Sequence, residues 1–420
     1  MEELTVVVLG GSGFLGQHVV SELLTEAQKM SAAVDVSQEV AAADTETETK
    51  IETEMKTEAR VEDKTKASHR CCIKEIRVLD VKPYQPCTVS PAGEPAKVLY
   101  QKCDVRDLSQ LTEALAGVAA VINCSAVTPD FTRDDMGCDH YMQEVNVDGV
   151  MNVVKACCQA GVSVLVHTSD VSVKMGGIKL LEHTETLTPS TPEKDLLLGD
   201  YARMRLRAEG MVLAAHGTPT STGATLQTMV LRPPLIYGEG DTTFVPLLLS
   251  LARAGGSRIP SVGNPEAFLQ AAYVGNVAVA HVCALLHLVS GDNEGMRRCG
   301  GLPVYVSDDT PPNNLQGLAE PFLLPLGLLP SKNLSYWIVS FMIMLASLWA
   351  FTCSLLGIKR KNKQSSLPSL FFHRFASTIT VVNRMRAELC LGYTPPYSWG
   401  QSQERSNSYY ANSSLFVEKH

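Results

Sequence analysis

Seven residues near the amino end, Gly10-Gly-Ser-Gly-Phe-Leu-Gly16, constrain this chain more than any other stretch. They follow Leu4-Thr-Val-Val-Val-Leu9, a short apolar β-branched run of the kind that forms a strand buried on both faces. A helical pattern to about Leu24 comes next. Glycines at every third position between a strand and a helix let the backbone turn tightly. They also let the helix pack close on the sheet, with its positive N-terminal end aimed at a pyrophosphate. Gly10, Gly13, Phe14, Leu15 and Gly16 are therefore candidate dinucleotide-binding residues.

The rest of the chain continues the alternation of strand and helix. Strands are expected at Ile76–Asp80, Val98–Gln101, Ala119–Asn123, Val162–His167 and Thr228–Arg232. Helices are expected at Leu108–Leu115, about Val147–Gln159, and from Tyr201 to about Ala215. Such alternation means right-handed βαβ units and a parallel sheet. The fold class is α/β: a Rossmann doubly wound parallel sheet with a smaller substrate-binding lobe and a C-terminal hydrophobic membrane segment.

Residues 29–70 interrupt the pattern with ten acidic side chains and no Gly, Pro or aromatic residue. This composition reads as a solvated, disordered insertion within a dinucleotide-binding domain over 1–232. The substrate lobe is placed at 233–333, with its closing part at 364–400 and a polar, frayed tail at 401–420. A membrane segment is placed at 334–358. Its core, Tyr336–Ile358, is uncharged and long enough to cross a bilayer, and Lys359, Arg360, Lys361 and Lys363 follow at once. The weak acidic balance, 36 basic against 44 acidic residues, argues against a nucleic-acid surface. Twelve scattered cysteines show no metal-ligand spacing and no disulfide framework, so reduced thiols and no metal are expected. Asn333-Leu-Ser335 and Asn412-Ser-Ser414 match glycosylation acceptors, a pattern frequent by chance.

Two acids follow strands where a dinucleotide would lie. Asp80 ends the second strand, where a carboxylate accepts from the adenosine ribose hydroxyls and repels a 2′-phosphate, favouring NAD over NADP. Asp104 follows the third strand. Two roles fit it equally: an acceptor for the adenine amino group, or an N-cap for the helix from Leu108.

Several segments together resemble the 3β-hydroxysteroid dehydrogenase/Δ5-Δ4 isomerase family of the extended short-chain dehydrogenases. Besides the glycine turn they are Asn146-Val-Asp-Gly149, Val166-His-Thr-Ser-Asp170, Leu231-Arg-Pro-Pro-Leu-Ile-Tyr-Gly-Glu-Gly240, Tyr273–Val277 with His281, and Leu391-Gly-Tyr-Thr-Pro395 with Ser398 and Trp399. The resemblance implies NAD-dependent oxidation of a hydrophobic 3β-hydroxy-Δ5-steroid to the 3-ketone, with or without double-bond migration. It also implies membrane attachment, by default at the endoplasmic reticulum and otherwise at mitochondria, and a homodimer.

The resemblance further implies a tyrosine, a lysine four residues on, and a serine at the reacting centre. Tyr201 matches the tyrosine, but Arg205 stands at the lysine position and Asp170 at the serine position. Arg205 keeps a positive charge one helical turn from Tyr201, in place to lower its pKa and to meet the nicotinamide ribose. Asp170, when ionised, opposes that and has no proton to donate. Two further readings follow from these departures. One is a catalytically impaired dinucleotide- or steroid-binding relative acting as sensor or partner. The other is a dehydrogenase for another sterol or a sugar nucleotide.

Overall fold

A computed structural model describes residues 2–47, 71–86, 95–131, 137–176, 179–254, 256–259, 263–290, 299–331, 336–356 and 370–412. The chain opens with β1 (Glu2–Leu9), α1 (Phe14–Thr47), β2 (Cys71–Asp80) and β3 (Lys97–Lys102). It continues through α2 (Leu108–Ala114), β4 (Ala120–Asn123), α3 (His140–Gln143), α4 (Gly149–Ala160) and β5 (Val164–Thr168). After β6 (Leu180–His183), α5 (Gly199–Ala214) and β7 (Gln227–Arg232) come β8 (Leu235–Tyr237), α6 (Phe244–Ala254), β9 (Arg258–Ile259) and β10 (Phe268–Leu269). Next are β11 (Ala271–Tyr273), α7 (Val274–Ser290), β12 (Pro303–Tyr305), α8 (Leu315–Leu323) and β13 (Leu329–Pro330). The last elements are α9 (Tyr336–Leu355), α10 (Leu370–Phe375), β14 (Ile379–Val382), α11 (Met385–Leu391) and α12 (Trp399–Asn412).

Seven parallel strands form the main sheet in the order β12-β7-β5-β4-β1-β2-β3. The order reverses at β1 and β4, which opens a crevice at their C-terminal ends. Alternate residues feed two cores. Val6, Val8, Ile122, Val166 and Met229 face one layer of helices, and Val7, Leu9, Val121, Leu165 and Val230 face the other.

Helix α1 runs through Thr47, well past Leu24 and into the stretch expected to be disordered. Residues 29–47 contain no Gly or Pro, so nothing in them stops the helix. Residues 48–70 lie outside the described residues. The tail from 401 is not frayed as far as Asn412: it is α12, which buries Ser402, Ser406 and Tyr410 at four-residue spacing. A buried stripe of two serines and one tyrosine leaves little hydrophobic signature.

A membrane-crossing segment was expected over 334–358, but among the described residues no helix is long and apolar enough to cross a membrane. Helix α9 instead lays one face on the body, with Val339, Ile343 and Cys353 buried, Ser340 Oγ 2.9 Å from His373 Nε2, and Tyr336 stacked on His373. Its other face exposes Trp337, Ile338, Phe341, Leu348 and Trp349. The chain after it returns to the same body. β14 lies between β10 and β6 in a second, three-stranded parallel sheet. Two-stranded pairs, β8 with β11 and β9 with β13, complete the lobe. A single crossing would put β14 and β10 on opposite sides of a bilayer, which their pairing excludes.

The reduced-thiol expectation also needs correction. Cys299 and Cys390 are disulfide-bonded, joining the approach to β12 to α11 across 91 residues. The other nine described cysteines are free. Contact across that separation leaves no trace in local spacing.

Candidate active site

The cofactor cradle is built where β1 meets β4. Gly10 has φ +71°, and a Cβ there would lie 2.7 Å from the Ser125 backbone. A Cβ on Gly16 would lie 2.2 Å from the Gly10 carbonyl oxygen, so only glycine lets α1 start this close to the turn. Phe14 and Leu15 open α1. Asp80 Oδ2 accepts from Ser12 N at 3.0 Å and Oδ1 from Lys82 N at 2.9 Å, which clamps the acid at the rim of the turn. Each oxygen retains a lone pair for a ribose hydroxyl. The residues present thus fit a dinucleotide: a turn without side chains, a helix N-terminus and a fixed acceptor.

Asp104 is engaged elsewhere. Its carboxylate forms a fork with Arg106, whose Nη1 reaches Glu144 at 2.9 Å. The adjacent Arg106 guanidinium holds the Asp104 pKa below the usual carboxylate range. Asp107, not Asp104, caps α2, accepting from Ser109 N and Gln110 N.

The three residues at the positions of the resembled family's reacting groups meet at the end of β5. Tyr201 and Arg205 lie one turn apart on α5, and Asp170 follows β5. Tyr201 Oη donates to Asp170 Oδ2 at 2.8 Å, and Arg205 Nε donates to the same oxygen at 3.2 Å. Arg205 Nη2 also donates to the Thr168 carbonyl at 2.5 Å. Asp170 is held independently, since Oδ1 accepts from Ser172 N at 2.8 Å as an N-cap. Arg205 is 3% exposed and its Nη1 has no partner among the described residues. Burial and the Asp170 charge push the Tyr201 phenol pKa well above its ordinary value, while Arg205 pulls it back. Arg203 and Arg207, by contrast, pair with Asp200 and Glu193 at the surface.

Ser169 does not join this group. It points off the other side of β5, buried, and its Oγ has no partner among the described residues. Thr168 Oγ1 instead lies 2.8 Å from His281 Nε2 on α7, so the Tyr273–His281 motif props the strand end that carries Asp170.

Two supports were not identified from sequence. Asn146 sits in a π-helical turn, Glu144–Asp148, and its amide brackets Val127: Oδ1 accepts from Val127 N and Nδ2 donates to Val127 O. That fixes the loop beneath Gly10, and Asn146-Val-Asp-Gly149 was the signal for it. The second is a C-terminal brace. Tyr397 Oη donates to Glu22 on α1, Tyr410 Oη meets the backbone of Gly238, and Arg405 pairs with Glu239 while covering the Tyr397 ring. His18 of α1 bonds the Glu239 carbonyl at 2.7 Å. The segment Tyr237–Gly240 thereby ties the cofactor helix to the end of the chain.

The doubly wound sheet and its glycine cradle are those of the extended short-chain dehydrogenase/reductase fold. Among solved structures, the dTDP-glucose 4,6-dehydratase DesIV of Streptomyces venezuelae, with NAD and TYD bound, superposes with TM-score 0.60. That pair is 18% identical, covering 99% of each chain. The narrower assignment comes from sequence: residues 65–336 match the 3-beta hydroxysteroid dehydrogenase/isomerase family, and the chain belongs to it. The matched stretch begins near the end of the long insertion, so the glycine turn lies outside it.

The human 3 beta-hydroxysteroid dehydrogenase type 7 is 27% identical over 411 residues, 96% of this chain and 95% of that protein. An Arabidopsis thaliana 3beta-hydroxysteroid-dehydrogenase/decarboxylase, isoform 2, is 34% identical over 206 residues. That match spans 49% of this chain and only 34% of the Arabidopsis protein; for its isoform 1 the share of the relative is 46%.

Proposed function

We propose that this chain is a membrane-associated dehydrogenase that uses NAD to oxidise a 3β-hydroxysteroid or related sterol to its 3-ketone. The observation that carries the reading is the Tyr201–Asp170–Arg205 cluster, linked by bonds of 2.8 and 3.2 Å beside the crevice of a dinucleotide cradle. The 3β-hydroxysteroid dehydrogenases among the relatives support the substrate class. Gly10, Gly13, Phe14, Leu15 and Gly16 hold the pyrophosphate, and Asp80 holds the adenosine ribose and disfavours a 2′-phosphate. Asp104, committed to Arg106, lines the adenine end. Arg205 Nη1 is the donor left to meet the nicotinamide ribose. When bound, the nicotinamide supplies the hydride acceptor. The described residues of 233–333 and 364–400 form the substrate lobe.

Helix α9 attaches this body to a bilayer surface, with its apolar face in the acyl boundary and its ends on one side. Trp337 and Trp349 are 77% and 65% exposed, a cost in water that a lipid interface removes. A steroid partitions into the same layer. The endoplasmic reticulum is the proposed location, with mitochondria as the alternative.

The test is NADH formation by the protein in microsomes supplied with NAD and a 3β-hydroxy-Δ5-steroid. Tyr201→Phe is expected to abolish it, and NADP to support it poorly. Absorbance of a conjugated enone product would add double-bond migration to the reaction. Absence of turnover with NAD binding intact would instead make the chain a binding protein, the reading favoured by a phenol donated to a carboxylate.

A further inference from the structure

Asp170 occupies a position from which a hydroxyl would orient substrate, yet its geometry suits a different task. Its Oδ2 lies 2.8 Å from Tyr201 Oη and receives that group's hydrogen. Its Oδ1 is held by Ser172 N, so the carboxylate cannot swing away. Its side chain is 22% exposed, whereas Arg205 behind it is 4% exposed. The carboxylate is therefore the place where the buried Tyr201 phenol reaches water.

We infer that Asp170 is the proton acceptor of the reaction, taking the Tyr201 proton as Tyr201 takes the substrate's. This rests on the dehydrogenase reading above. The substrate's carbinol C–H bond breaks and its hydrogen leaves with the electron pair to the oxidised dinucleotide, the oxidant. Its O–H proton passes to Tyr201 Oη, the Tyr201 proton passes to Asp170 Oδ2, and the carbon–oxygen double bond forms. Asp170 then releases the proton to solvent. Tyr201 stays a neutral phenol between turnovers, and no tyrosinate is needed. Arg205 remains charged throughout and holds Oδ2 in line.

The groups facing this pair are few. Arg205 comes from α5 itself and Cys138 from the segment before α3. Around the guanidinium stand Glu209 of α5, His167 of β5 and Cys124 after β4. Burial, then Arg205 and His281, keep His167 neutral, and burial pushes the Cys124 thiol up to about 12. None of these is placed to take the proton from Tyr201 Oη in place of Asp170.

The deciding measurement is the pH profile of kcat/KM for steroid oxidation, with Asp170→Asn beside the parent. The asparagine keeps the cap to Ser172 N but takes no proton. The parent is expected to be flat between about pH 6 and 9. Asp170→Asn is expected to fall about 100-fold at neutral pH and to recover about tenfold per pH unit as Tyr201 ionises unaided. Asp170→Ser with Arg205→Lys, which avoids an unpaired buried guanidinium, should show the same rising limb. The ultraviolet difference between parent and Tyr201→Phe should show no tyrosinate below about pH 9. A tyrosinate band there overturns the relay, as does a rising limb in the parent, or an equal loss in Asp170→Asn at every pH. A parent that forms no NADH at any pH overturns the dehydrogenase reading itself.

Discussion

Besides Arg205–Asp170, a second buried charged pair anchors the helix that carries Tyr201 and Arg205, and breaking it should be costly. Glu209, one turn beyond Arg205, receives Arg232 Nε at 2.9 Å and Nη2 in a two-point bond. The two side chains are 3% and 4% exposed, and the Arg232 guanidinium also lies 5.6 Å from the centre of the Tyr305 ring. Glu209→Leu leaves a guanidinium in the interior without a counter-charge. Removing one partner of such a pair costs about 3–5 kcal/mol. For a chain of this size, with an unfolding entropy of roughly 2 cal/mol/K per residue, that lowers Tm by roughly 4–6 °C.

Arg232→Met should cost a similar amount by stranding the carboxylate. The double variant Glu209→Leu with Arg232→Met strands neither, and should return to within about 1 kcal/mol of the parent. Denaturant unfolding of the four proteins measures the coupling, expected at about 3 kcal/mol or more. Single variants that cost less than about 1 kcal/mol, or a double variant equal to their sum, would refute the claim that this pair anchors α5.

Two further expectations concern attachment and acid stability. Replacing Trp337, Phe341 and Trp349 by serine should release the protein from vesicles in a flotation assay while leaving its thermal unfolding unchanged, because these side chains are exposed. Burial holds the His281 pKa down to about 4. The unfolded chain therefore takes up this proton first, and stability falls as pH drops from about 6.5 toward 4. Between pH 7 and 5 the share is about 2 kcal/mol, and it should appear as the pH-dependent part of the difference between parent and His281→Asn in urea titrations.

The sheet was legible because its strands are apolar runs separated by helical periods, and each strand read from sequence is present within a few residues. The glycine turn was legible because tight backbone approach permits few residue types. The spacing of Tyr201 and Arg205 showed them to share a face. That Asp170 grips both could not be seen, since it depends on where β5 ends relative to α5. The brace from Tyr397, Arg405 and Tyr410 was hidden for another reason. It is built from polar contacts and small buried residues, and these carry no periodic apolar signal. The apolar run at α9 reads alike whether it crosses a bilayer or lies along one, because hydropathy is blind to where the following chain folds back.

The bond from Glu22 to Tyr397 joins residues 375 positions apart. At ribosomal speeds of about 5–20 residues per second, roughly 20 to 75 s separate the synthesis of its two ends. The nucleotide cradle is among the earliest parts made and among the last to be closed. The first helix therefore waits, through most of synthesis, for the partner that closes it.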